Sequence, residues 1–259
     1  MVQPVTQGQV IRSEWIKLRS VRSTWLVLAA TALGIAATGL LVSYATGAHW
    51  SAASASARAD FSPINQDLIG VNLAELLVGV LGVLAATGEY SSGMIRATLA
   101  AVPRRLPVLA AKAGVLAAVT FAVCLATVLV TFTGGQALLG AHGISLAHPA
   151  AARAVAGAAL YLTVVAVAGV GLGFLIRSTA GGIATLIGVL FVLPVLMSAL
   201  PGTGSQAVER YLPSMAGRAI FIQNAGRAML SPWTGFAIFL LYATVVLAAA
   251  ALALRRRDA

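Results

Sequence analysis

Six apolar runs, each about as long as a membrane-spanning helix, set the pattern of this chain. They lie at 25–45, 68–88, 108–133, 155–176, 180–200 and 233–254. At a rise of about 1.5 Å per residue, each crosses a hydrocarbon layer about 30 Å thick. The first is too long for a signal-peptide core of about 7–15 residues. Ala55-Ser56-Ala57 imitates a cleavage site but lies well past its end. The predicted fold class is all-α integral membrane, a single domain over residues 1–259 with six transmembrane helices.

Two stretches between or before the runs are amphipathic. From Val10 to Arg22, Ile11, Trp15 and Leu18 share one helical face, Arg12, Lys17 and Arg19 face away, and Glu14 adds one acid. Bases on one side and a tryptophan on the other describe a helix lying in the membrane interface. That reading of residues 1–23 is preferred over a cytoplasmic extension of the first span, because Trp15 needs an apolar surface. Residues 1–9, with Pro4 and Gly8, are expected to be loose.

The second stretch, 89–107, joins an acid, Glu89, to a cluster of bases. Met94, Ile95, Thr98, Leu99 and Val102 recur at helical steps and predict a surface helix over Ser91–Val102, with Gly93 near its start. Pro103 ends it, since proline lacks the next donor and biases its predecessor away from the α region. Arg104 and Arg105 tip it.

Elsewhere, Gly134 and Gly135 are expected to loosen the third span, and Arg177-Ser178-Thr179 to form a tight turn. The polar segment 201–232 carries Pro213, Arg210, Arg218 and Arg227. Two readings stand for it: a helix pair dipping into the membrane edge, or a solvated loop.

Composition agrees with the pattern. The 259 residues are 59% hydrophobic and 9% charged, with mean hydropathy +0.94, which makes the bilayer the solvent. Seventeen Lys and Arg against seven Asp and Glu give a net charge of +10. The bases sit in short stretches between apolar runs, so they read as topology signals and nucleic acid is not an expected partner. Twelve of the seventeen fall on the side shared by the two termini. Basic residues near span ends stay in the cytoplasm, so both termini and 89–107 are expected inside, and 201–232 outside.

Candidate chemistry is sparse. The two lysines, Lys17 and Lys112, follow no Gly-x-x-x-x-Gly, so the chain has no P-loop, and no cofactor is expected on it. His49, His142 and His148 lack metal-ligand spacing, and no catalytic set appears. Cys124 stands alone, so no disulfide forms within the chain. Gly169, Gly171 and Gly173 imitate a dinucleotide fingerprint but sit within a span, where close helix packing is the better reading; Gly79, Gly82 and Gly114 are assigned the same role. Glu75 lies deep in the second run. An intramembrane carboxylate marks a functional site by default. It either contacts a substrate or proton along a path, or bonds a polar group on a neighbouring helix.

The run Glu89-Tyr90-Ser91-Ser92-Gly93-Met94-Ile95-Arg96-Ala97-Thr98-Leu99, followed by Pro103-Arg104-Arg105 and Lys112, resembles the first cytoplasmic loop of permease subunits of type-2 ABC exporters. Glu14-Trp15-Ile16-Lys17-Leu18-Arg19 is similar to that family's interfacial elbow helix, as are Tyr211-Leu212-Pro213-Ser214 and the closing Arg-Arg-Arg-Asp. The resemblance covers the whole chain. It implies a coupling helix over Glu89–Pro103 whose contacts with a separate P-loop ATPase subunit are Glu89, Gly93, Arg96, Thr98, Pro103, Arg104 and Arg105. It implies an elbow built on Glu14, Trp15, Lys17 and Arg19. ATP and Mg would be held by that partner. A second permease copy or paralogue would complete a dimer in a bacterial inner membrane, moving a hydrophobic or amphipathic substrate. Glu75 departs from the family, where a neutral polar residue is expected. A proton-coupled carrier, or a non-transporting scaffold or sensor of the same fold, is the alternative.

Overall fold

The computed structural model describes residues 6–59, 61–102, 105–200, 207–223 and 229–256. Among these residues there is no strand, and six helices are long and apolar enough to cross a membrane. In order these spans are Arg22–Ala48, Val71–Ser91, Arg105–Leu139, Pro149–Ile176, Thr179–Ala199 and Pro232–Arg256. Each predicted run has its span. The chain is an all-α integral membrane protein.

The fourth span is the axis of the bundle and packs against the second, third and sixth. Small residues allow this. A Cβ on Gly82 would lie 2.0 Å from the carbonyl oxygen of Ala166, and one on Gly169 would lie 2.4 Å from that of Gly79. Backbones that touch gain van der Waals contact, the main attraction available where lipid is as apolar as the helix. Gly114, expected to act likewise, faces open space instead. Tyr161, Phe132 and Phe174 fill the centre. The fifth span is the least covered. It loosens into a wide turn at Gly188–Val192, beside Pro194, whose ring crowds the carbonyl four residues back and which cannot donate the next bond.

Three further expectations are corrected. The N-terminal helix begins at Gln7, because Thr6 and Gln9 form a reciprocal cap in which Thr6 Oγ1 accepts from Gln9 N and Gln9 Oε1 accepts from Thr6 N at 2.9 Å. The third span does not loosen at Gly134 and Gly135 but continues to Leu139. Gly135 is instead the slot for a carboxylate: a Cβ there would lie 2.0 Å from Asp67 Oδ1. The surface helix is shorter than predicted, Met94–Ala101, because Gly93 takes a left-handed φ of 70° and ends the second span's helical path.

Asp67 closes the short helix Pro63–Asp67 and is fully buried. It accepts from Ser43 Oγ of the first span and, at 2.8 Å, from Gln136 Nε2 of the third. Burial pushes its carboxyl up to about 6, against the opposing effect of those two bonds.

Candidate functional site

Four segments converge at the end of the bundle that carries the termini: the N-terminal helix Gln7–Ser20, the end of the second span, the surface helix, and the start of the third span. Val10 packs with Val108 and Ala111 beneath Leu99 and Val102, and Ile95 enters the main core. Val10 and Glu14 are therefore the inward face of the N-terminal helix, while Ile11, Trp15 and Ile16 are exposed to the surroundings. Helical spacing alone did not separate the exposed apolar residues from the protein-facing ones.

Polar residues at this junction form one network. Lys17 Nζ lies 2.7 Å from Glu14 Oε1 and 2.8 Å from Glu89 Oε1, and donates to Thr98 Oγ1 at 3.2 Å. Lys112 Nζ pairs with Glu14 Oε2 and, at 2.9 Å, with Glu89 Oε1. Glu14, Glu89 and Lys112 are buried, and Lys17 keeps a quarter of its side chain exposed. Both lysines of the chain are spent here, beside fifteen arginines. An ammonium offers three donors around a compact charge, which suits bridging acceptors that approach from different helices; a planar guanidinium does not. Burial alone would lower the Lys17 pKa, but the bonds and charges of Glu14 and Glu89 outweigh it and hold the ammonium above its ordinary range.

The predicted contact residues thus separate into distinct environments. Glu89 and Thr98 point into the junction and belong to the network. Gly93 and Arg96 are exposed, as are Met94, Ala97 and Ala100, so the outer face of the surface helix is uncovered. Arg105 turns away from that face and donates to the Leu254 carbonyl at 2.8 Å, capping the end of the sixth span. Pro103 and Arg104 lie outside the described residues. In the N-terminal helix, Arg19 is exposed, and its carbonyl accepts from Trp25 Nε1 at 3.2 Å, which fixes the entry of the first span.

At the opposite end, Glu75 is fully buried and is a helix contact in this conformation. Arg218 Nη2 pairs with its Oε1, and Tyr161 donates to its Oε2. Arg218 comes from Pro213–Arg218, a short helix inserted among the spans with Pro213, Ser214, Ala216 and Gly217 buried. A Cβ on Gly217 would lie 2.6 Å from the Tyr161 ring. The solvated-loop reading therefore fails for this part of the segment. Sequence could not pair Glu75 with Arg218, which are 143 positions apart; an uncompensated acid in one span and an arginine preceded by small residues are the signals it carries.

The model of the family described as ABC-2 family transporter protein matches residues 10–194. That stretch contains most of the N-terminal helix, the whole surface helix and both lysines of the network. No curated protein matches the sequence.

Proposed function

We propose, for a chain that belongs to the ABC-2 family of transporter proteins, that it works as the membrane-spanning subunit of an ATP-driven exporter of hydrophobic or amphipathic compounds. The family is a membrane component, so the nucleotide chemistry falls to a separate P-loop ATPase subunit, which would hold ATP and Mg. The reading is supported above all by the surface helix. Its inner side is tied through Thr98 to Lys17, whose ammonium also bonds Glu89 of the second span, and its outer side presents Met94, Arg96 and Ala97 uncovered.

Mechanism follows from that arrangement. An ATPase groove seats the uncovered face. When ATP draws two such subunits together, the surface helix is displaced, and the shared carboxylate of Glu89 passes the displacement to the second span, the third span and the N-terminal helix together. Closely packed Gly79, Gly82 and Gly169 give the second and fourth spans a surface on which to slide. ATP need only bind one arrangement of the bundle more favourably than the other to shift the equilibrium between inward-open and outward-open states. A second permease copy or a paralogue covers the poorly buried fifth span, where Ala180, Ala184 and Val192 are exposed. In this reading both termini and the surface helix lie in the cytoplasm of a bacterial cell and the Pro213–Arg218 helix lies at the outer face, an orientation supported by the basic bias. A proton-driven carrier fits less well, because Glu75 is closed off by Arg218 and Tyr161.

The test is reconstitution with the ATPase subunit in vesicles loaded with an amphipathic dye. ATP-dependent, vanadate-sensitive efflux is the expected result. Efflux driven by a proton gradient without ATP would contradict it.

A further inference from the structure

A cavity of about 390 Å³ adjoins the ion network at the terminal end of the bundle. Pockets of about 300–1,000 Å³ are the usual size for small-molecule sites. Its walls are mainly apolar and come from five elements, through Leu18, Val27, Leu81, Met94 and Leu116, with the hydroxyls of Ser23, Thr24 and Ser92 among them. Its polar end is Glu14 and Glu89 with the two lysines.

Two observations at that end are unexplained by packing. The first is Glu89 itself. Both lysines take its Oε1, while its Oε2 is buried with no hydrogen-bond partner among the described residues. A buried acceptor left unmade is destabilising, and more so for a charged group. The second is Gly88, also on the wall. Gly79 and Gly82 of the same span are required by touching neighbours, but a Cβ on Gly88 would meet nothing within 4 Å. Glycine within a helix is destabilising relative to alanine, and here no packing partner compensates.

The charges define what could complete the site. Glu14 and Glu89 are balanced by Lys17 and Lys112, so a charged head group would leave one ion in excess in a buried place. An uncharged donor satisfies Oε2 and leaves the balance intact. We infer that this cavity binds an uncharged amphiphile, with a hydroxyl or amide head donating to Glu89 Oε2 and a single apolar chain lying past Gly88 between the first, second and third spans. As a cargo site it deepens the export reading and rests on it; as a binding site it stands alone.

The test compares three twelve-carbon probes that differ in head charge: monolaurin, dodecylamine and laurate. Each is titrated onto the purified chain, and bound probe is counted by native mass spectrometry. Monolaurin is expected to bind saturably at one per chain, with dodecylamine and laurate at least about tenfold weaker, the equivalent of one hydrogen bond to a charged group. Gly88→Phe fills the cavity and is expected to abolish monolaurin binding. Ala85→Leu, a smaller addition on the same wall, is expected to weaken it if the larger side chain prevents folding. Equal or tighter binding of the amine or the acid, monolaurin binding unchanged in folded variants, or no saturable binding to the wild-type chain would each overturn the inference. Binding needs neither ATP nor the ATPase, so loss of ATP-driven efflux with binding intact would remove the export reading and leave the site.

Discussion

Lys17 Nζ and Glu89 Oε1 lie 2.8 Å apart although 72 positions separate them, and the bond ties the N-terminal helix to the end of the second span. Because Thr98 accepts from the same ammonium, the surface helix cannot move away from the bundle without disturbing this pair. Lys17→Arg is therefore not conservative. A flat guanidinium cannot meet Glu14, Glu89 and Thr98 at once. Thermal unfolding of Lys17→Arg is expected several degrees below wild type, with Lys17→Met lower still; equal midpoints for all three proteins would contradict the network.

Lys112 tests the buried half of the network. Lys112→Met leaves Glu14 and Glu89 sharing one cation, and breaking a buried pair in this way typically costs about 3–5 kcal/mol. Removing an acid with it, as Lys112→Met with Glu14→Gln, restores the charge balance. The double variant is expected to recover a large part of the loss in denaturant titrations. Additive losses would show that the two side chains act independently.

Arg218→Met should release the Pro213–Arg218 helix. It strands Glu75 in the bundle with only Tyr161 as a partner. Ala219, now 3% exposed, is the reporter. An Ala219→Cys variant is expected to be unreactive to an impermeant thiol reagent alone and reactive when combined with Arg218→Met. Glu75→Gln keeps neutral hydrogen bonds to both partners and is expected to loosen the segment less. Cys124, the native cysteine, is buried and gives a low background.

Asp67 makes stability depend on pH. Its ordinary value is 3.8 and burial pushes it up to about 6. Between these values the folded chain holds a proton that the unfolded chain has released. Asp67 therefore contributes stability that grows as pH falls from about 6 towards 3.8 and is lost as pH rises through 6. Asp67→Asn, which keeps the bonds to Ser43 and Gln136 within reach, should flatten that part of the unfolding-midpoint curve. An unchanged slope would assign the dependence to other groups.

Much of this was legible from the chain. Six spans follow from run length, and the surface helix follows from the spacing of Ile95, Leu99 and Val102. Gly93 stood out as a glycine at a helix boundary, and its φ of 70° explains it. What could not be read was which side of each amphipathic helix meets protein and which meets lipid, since both environments are apolar. That ambiguity hid Glu14 as an inward residue. The resemblance names Glu89 and Arg105 as docking contacts; in the structure Glu89 bonds both lysines and Arg105 bonds a backbone carbonyl 149 positions later. Gly135 was misjudged for a related reason: a glycine that admits a carboxylate from another segment looks the same in sequence as one that weakens a helix.

The uncovered face of the surface helix carries the central claim, and Arg96 is its cleanest probe, being exposed and outside the ion network. An Arg96→Cys variant co-expressed with the ATPase subunit can be treated with a membrane-impermeant thiol reagent from either side of sealed vesicles. The account predicts labelling from the cytoplasmic side only, and protection when the ATPase is bound. Labelling from the exterior alone, or labelling unaffected by the ATPase, would contradict it.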